Sequence, residues 1–559
     1  MNPHKKFEDI LLYSALILVL LLLNIHSAKF FFRLDMTQEK RFQISQATQT
    51  ILKDLEEPVY IEVYLEGDLN ASFKQFQKNI REILNEFKVY AGKKLEFKFT
   101  NPDEASNEKA RNLFYKELQD RGIMPTNLFD KVDGKKTEKI IFPGAWISYK
   151  GRGVAANLLK GNRLSTPEQQ LNQSAEGLEY EFAAAIAKLG TRQRQTVAFL
   201  KGQDQLEPIE VADISRSLSE FYVVERIEAQ DLLFINPKVL IIAQPKSAFS
   251  DTSLFYIDQY LMKGGSLAVF LDKVQMNLDS LDKGGNYAFG YDLGIESLLF
   301  KYGVRVNMDM IQDQQMGFIE VQVGNLGNKA NIQRQPWPYY VDLTTFADHP
   351  ISRNLDVISA RFLSTIDTIK SSKVRKTPLL FSSQFTRVKK APTMVSLDEL
   401  RMELQKERFD KGNLAVAYLL EGEFDSYFSL RFPPKGVVGE TQVLKQSPKT
   451  KVLVVSDGDM LRNEIDKRTG RPMPLEFDAV RRRTLSNKDF VLNVVSYMVE
   501  QDGIIVSRNK KISMRPLNTF AVEEQAKFWQ VFNIGLPVIL ILIFGWLWGY
   551  LRKKKYASN

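Results

Sequence analysis

Near its start the chain has sixteen consecutive residues without a charge, Ile10 to Ile25, and near its end a longer apolar run, Phe528 to Leu551. At 1.5 Å per residue the first run predicts a helix of about 24 Å, short of a hydrocarbon core of about 30 Å unless His26 and Lys29 snorkel. A cleaved signal peptide is the rival reading, but His26 stands where a small residue should flank the cut beside Ala28. The second run is long enough to span with tilt. It carries Trp529 at one edge and Trp546, Trp548 and Tyr550 at the other, then stops at Arg552 to Lys555. Lys5 and Lys6 precede the first run, so the positive-inside rule predicts two membrane helices embedded in lipid, both termini cytoplasmic, and the body on the far side.

Within the body the period changes from segment to segment. PVYIEVYL alternates as a strand, Phe73, Phe76, Ile80, Ile83, Leu84 and Phe87 recur at helical spacing, and KLEFKFTNP is a second strand. A helix over 108–121 follows, and KIIFPGAWISY closes in extended pattern broken at Pro143-Gly144. This β-α-β-α-β-β order predicts a thioredoxin-like domain. Where a redox enzyme would carry its cysteine pair, at the start of the first helix, the chain has Leu69-Asn70-Ala71-Ser72. A polar stretch from Gly151 to Ser174 leads into a helix expected over 176–189.

Beyond it, TVAFL, VLIIAQP, SLAVFLD and KVLVVSD are continuous apolar strands, the first three separated by helix faces at Ile214, Leu218 and Phe221 and at Leu254, Ile257 and Leu261. Such runs predict a parallel sheet covered on both faces. A last helix is expected over 487–500, and Gly324 to Pro338, rich in Gly, Asn, Gln and Pro, reads as a long loop. The expected architecture is therefore α/β: a thioredoxin-like domain, then a flavodoxin-like parallel-sheet domain, flanked by two terminal transmembrane helices. The boundaries are 1–32 for the cytoplasmic N-terminus and first span, 33–150 for the first domain and 151–190 for a linker and helix. They continue as 191–505 for the second domain, 506–527 for a juxtamembrane linker, 528–551 for the second span and 552–559 for a basic tail.

Composition narrows the chemistry. The 559 residues include no cysteine and three histidines, which removes disulfides, thiolate metal sites and cysteine nucleophiles and leaves His349 alone in the body for any histidine-based centre. Of the net charge of +9, the two ends carry +4, and the remainder is too dilute to argue for nucleic acid. No P-loop motif occurs, and Gly264-Gly265 follows a helix and precedes a strand, so it is a helix stop and not a phosphate loop. No cofactor or metal is expected.

Open parallel sheets place their sites beyond the carboxyl ends of the strands. Here those ends are Gln244, Asp272, Asp457 and Asp459, the candidate partner-binding residues. Asp457 and Asp459 could hold a divalent ion, but a polar turn with Asp as a cap is the plainer reading. His349 sits in the turn ADHPIS with no partner fixed by spacing. In the second membrane helix, Gln530, Asn533, Pro537, Gly545 and Gly549 fall within about half the circumference, and Gly545 to Gly549 is a Gly-x-x-x-Gly spacing suited to helix docking.

The order of parts resembles a known family. Asp35-Met36-Thr37 with KRFQIS, then PVYIEVYLEGDL, KVLIIAQP with YLMKGGSLAVFLD, LLFKYGVRVN with Asp309, and HPIS carry the likeness, as do LAVAYLLEGEFDSYF, KVLVVSDGDM and NKDFVLNVVSYM before RNKK and RPLN. Together they resemble the gliding-motility auxiliary subunits of ABC transporters, the GldG type, within the wider class of ABC-transport auxiliary proteins. The resemblance implies a non-catalytic, periplasm-facing body on the bacterial inner membrane. It also implies a multi-span permease, a separate cytoplasmic ATPase, and an envelope partner in motility and linked protein secretion. The second region further looks like a domain shared with an intraflagellar transport protein, itself similar to glutamine-amidotransferase-like sheets. Those enzymes carry a cysteine just after a strand comparable to SLAVFLD, where this chain has Asp272-Lys273, so their activity does not carry over. A membrane-tethered glycan- or peptide-binding module without an ATPase is the alternative.

Overall fold

The structure, a computed structural model, describes residues 13–19, 44–499 and 519–556, except 105–106, 133–134, 160–166, 191–193, 277–280, 282–284, 327–328, 354, 371–372, 402–405, 439–441 and 476. The chain divides into two units, Met1–Lys511 and Ile512–Asn559. It is mixed α/β with several sheets.

The first sheet has four strands in the order Leu95–Phe99, Val59–Val63, Gly144–Tyr149, Arg152–Asn157. The first two are parallel, and the third and fourth are antiparallel to their neighbours. Helix Ala71–Ala91 forms because Phe76, Ile80, Leu84 and Phe87 share one stripe, Asn70 caps its start and Gly92, at positive φ, ends it. That stripe packs on the sheet together with helices Gln46–Lys53 and Pro167–Gly190. The expected polar stretch after Gly151 thus contributes the fourth strand, and its helix starts earlier than the periodicity suggested. Alanines 183–185 make that helix apolar on several sides, which blurs the stripe.

The second sheet has eight strands. Five are parallel, Gln446–Val455, Ser266–Phe270, Val239–Ala243, Thr196–Leu200 and Val223–Ile227 in spatial order. Ala415–Asp425, Val374–Phe381 and Thr345–Phe346 continue it antiparallel. Alternate residues of the parallel strands enter opposite cores. Val197, Phe199, Ile241, Phe270 and Val455 pack with Ile214, Leu218, Phe490 and Val494, whereas Leu200, Leu240, Ile242, Val269 and Val454 pack with Leu254, Ile257, Leu261 and Leu298. Both faces are covered, as continuous apolar strands require.

Two expectations change. The Gly-, Asn- and Gln-rich segment expected as a loop is most of a hairpin, Met316–Leu326 paired with Lys329–Leu343. Gln333, Arg334 and Gln335 are exposed or half-buried there, so apolar alternation was never needed, while Trp337 and Tyr339 at the root are buried. The first expected span falls almost wholly outside the described residues. Only 13–19 are described, and they are helical. Among the described residues one segment is long and apolar enough to cross a membrane, Phe528–Lys554, inside helix Thr519–Tyr556.

Candidate functional site at the strand ends

Three parallel strands of the large sheet end side by side, and the polar residues that follow them meet. After Val239–Ala243 the backbone turns at Gln244, a non-glycine residue with φ of 50°. This left-handed conformation costs on the order of 1 kcal/mol and is held by its neighbours. Gly458 packs directly against it, since a Cβ there would lie 2.3 Å from Gln244 Cγ. The Asp272 carboxylate, just beyond Ser266–Phe270, accepts from Gln244 Nε2 at 2.6 Å and from the Gly458 N–H at 2.7 Å. Asp457, just beyond Gln446–Val455, accepts the Arg361 and Asp459 N–H groups, each at 2.7 Å.

Cations close the cluster. Arg462 donates to Gln244 Oε1 and lies 3.1 Å from Asp459 and 3.4 Å from Glu210. Arg361 pairs with Glu464 at 2.6 Å and stacks over Tyr340. Burial, followed by the charge of Asp459, pushes the Asp272 carboxyl up to about 7, against the opposing pull of the Gly458 N–H and the Gln244 amide. The same two causes, with Asp272 added, raise the wholly buried Asp457 well above the usual carboxylate range. The arrangement can hold a proton near neutrality and tie three strand ends together. All four strand-end residues expected from the sequence are brought into it.

The cluster differs from its expectation in depth. Asp457 does close a tight turn, but it is completely buried and bridges to Arg361, so it is more than a surface cap. His349 has other partners: its Nδ1 accepts the Ile351 N–H at 3.2 Å and its ring lies 5.0 Å from Tyr497. Burial pulls its imidazole down to about 4. Among the described residues no three His, Cys, Asp or Glu side chains are arranged to hold a metal ion.

Sequence reasoning missed Arg361, Arg462 and Glu210. Arg462 was signalled by its i, i+3 spacing from Asp459, whereas Arg361 and Glu210 come from distant segments. It also missed a cleft of about 840 Å³ lined by Lys273, Glu296, Arg305, Asp309, Lys390 and Arg431 among others. Lys273, almost wholly buried, donates there to Glu296 and to the Tyr291 carbonyl, both at 2.6 Å. At the corresponding end of the first sheet, Asn70 accepts the Phe73 N–H at 3.0 Å as an ordinary helix cap, with Leu69 buried beside it.

In the second unit, Gln530, Asn533, Pro537, Gly545 and Gly549 lie on one continuous exposed helix, and a Cβ on either of the last two would meet open space.

A family model described as "ABC-type uncharacterized transport system" matches residues 194–494, more than half of the chain. The chain belongs to this family. A second model, described as a domain of unknown function, matches residues 38–148. This transport-family member is similar to an uncharacterized protein of Borreliella burgdorferi, 22% identical over 411 residues, with 71% of this chain and 74% of that one covered. Among solved structures it is similar to the mmIFT52 N-terminal domain, with a TM-score of 0.30 and 14% identity, covering 55% of this chain and 98% of that one. Family membership supports a transport-associated auxiliary role in company with transporter components, and suggests a non-catalytic one. The apolar C-terminal helix fits membrane association.

Proposed function

We propose that the chain is a non-catalytic auxiliary subunit of a bacterial inner-membrane ABC transporter, of the GldG type linked to gliding motility and secretion. Its C-terminal helix docks on a multi-span permease, through which it meets the cytoplasmic ATPase. Both termini lie in the cytoplasm and the body faces the periplasm. The observation that carries this reading is the exposed, membrane-length helix Phe528–Lys554 on a chain whose body matches the transport family.

Gln530, Asn533, Pro537, Gly545 and Gly549 form the docking face. Lipid gives helices no hydrophobic drive to associate, so close backbone approach at small residues and interhelical hydrogen bonds supply it. In the body, Gln244, Asp272 and Asp457 frame the strand ends, and Asp459 with the Arg462 and Glu464 beside it offers an envelope partner its charged contacts. The strand order of the first sheet supports a thioredoxin-like reading without redox chemistry. The two-faced parallel sheet supports the flavodoxin- or amidotransferase-like one.

Replacing Gly545 and Gly549 together by Leu tests the docking face. Insertion should persist while recovery of the permease weakens, by about 1–2 kcal/mol per lost contact. Undiminished recovery would reduce the helix to an anchor. A chain that binds glycan or peptide with no permease in its complex would favour the tethered binding module.

A further inference from the structure

The loop Ser426–Val438 displays large apolar side chains in an unusual way. Leu430 is 96% exposed, Phe432 95% and Val438 70%. Single exposed apolar residues are ordinary, but three within thirteen residues call for an explanation.

The loop is stapled at both ends to helix Asp251–Met262. Buried Asp258 accepts from Ser426 Oγ at 2.7 Å and from the Tyr427 N–H at 2.9 Å, and the Val438 N–H donates to the Tyr256 hydroxyl at 2.9 Å. Phe428 is buried, with its ring 5.2 Å from Phe255. Between these fixed points the apolar side chains are held in water. Arg431 lies 4.0 Å over the Tyr427 ring and donates to its hydroxyl at 2.6 Å.

The chemistry selects the occupant. Ser426–Val438 contains two cations, Arg431 and Lys435, and no acid, which complements an anionic surface. Pro433 and Pro434 bring no N–H groups that would need partners on leaving water. Nineteen residues, 500–518, separate the last body helix from Thr519, a tether of at most about 70 Å when fully extended. Tethering keeps the effective concentration of a bilayer high enough for a weak, two- or three-residue insertion to matter.

We propose that Ser426–Val438 is a membrane-docking loop that places Leu430, Phe432 and Val438 among the headgroups and upper acyl chains of an anionic bilayer, with Arg431 and Lys435 at the lipid phosphates. The inference rests on the reading that the C-terminal helix spans a membrane.

Because the chain has no cysteine, single labels are clean. The full chain, carrying an environment-sensitive dye at Leu430→Cys, is reconstituted in phosphatidylcholine vesicles with and without phosphatidylglycerol that also contain lipid-borne quencher. A second preparation carries the dye at Ile541→Cys. The expected result is blue-shifted, lipid-quenched emission at position 430 in the anionic vesicles, with the inserted fraction falling at least about tenfold in Phe432→Ser and in Lys435→Glu. Emission at 430 that stays water-like and open to aqueous iodide, while 541 is quenched by lipid, overturns the loop proposal and leaves the spanning helix intact. Protection of 430 that comes only with an added protein overturns it in favour of a protein partner. Loss of lipid quenching at 541 overturns the spanning reading, and the loop proposal with it.

Discussion

Both sheets open with parallel strands joined through helices, yet their strand ends are finished differently. In the first, the helix that follows Val59–Val63 begins at a neutral cap, Asn70, beside buried Leu69. The Asn70 side chain reaches three residues on, to the Phe73 N–H. In the second, Gln244, Asp272, Arg361, Asp457, Asp459 and Arg462 come from four segments spread over more than two hundred residues and share one hydrogen-bonded, partly charged cluster. The same strand-to-helix geometry can therefore be closed locally or made into a junction. A local cap can be exchanged for another at small cost, whereas a member of the junction exposes the needs of every neighbour when it is removed.

The sharpest way to break the comparison is at Asp457. Asp457→Ala leaves the Arg361 and Asp459 N–H groups without their acceptor in a buried turn, and should cost about 2–4 kcal/mol in denaturant unfolding. A cost near that of a surface substitution would reduce the junction to an ordinary turn. Next comes Asp272. Its carboxyl, pushed up to about 7, binds a proton in the folded state that the unfolded chain binds only near 4. Stability should therefore rise as pH falls from about 7 toward 4, by up to about 4 kcal/mol, and Asp272→Asn should flatten that slope.

At the first sheet, Asn70→Ala should cost about 1 kcal/mol and Asn70→Ser almost nothing, since serine caps as well. A larger loss would mean that this end, too, is a junction. A pH effect of the opposite sign is expected at His349. Burial pulls its imidazole down to about 4, so its contribution runs opposite to that of Asp272 and is lost as pH falls from about 6.5 through 4. With three histidines in the chain, its ring signals can be followed by NMR and should report a neutral ring until pH nears 4.

Much of the large sheet was legible because TVAFL, VLIIA, SLAVF and KVLVV are buried on both faces and so nearly free of polar residues. Its antiparallel side was harder to read. Ala415–Asp425 and Val374–Phe381 mix half-buried and exposed positions with irregular register, which breaks strict alternation. Gly324 to Pro338, within the hairpin Met316–Leu326 and Lys329–Leu343, reads as loop because solvent on its flanks relieves it of any hydrophobic period. At the site, the rule that ligands gather at carboxyl ends located Gln244, Asp272, Asp457 and Asp459 together. It could not supply Arg361, which strand Ile358–Arg361, paired with Lys329–Leu343, presents to Asp457 across 96 residues of sequence. Nor could it foresee that Asp457 is sealed from water, because burial of a turn depends on what the rest of the chain lays over it.

The membrane-length segment begins at Phe528, but the helix is already formed at Thr519 and runs without interruption through Pro537. At 1.5 Å per residue, the arm from Pro537 to Thr519 is about 27 Å long and stiff along its length. Proline is where such a rod bends, because it lacks the N–H and crowds the carbonyl four residues earlier. A change of about 20° at Pro537 would carry Thr519 sideways by roughly 9 Å, so a small bend at one residue is amplified into a large displacement at the far end of the arm.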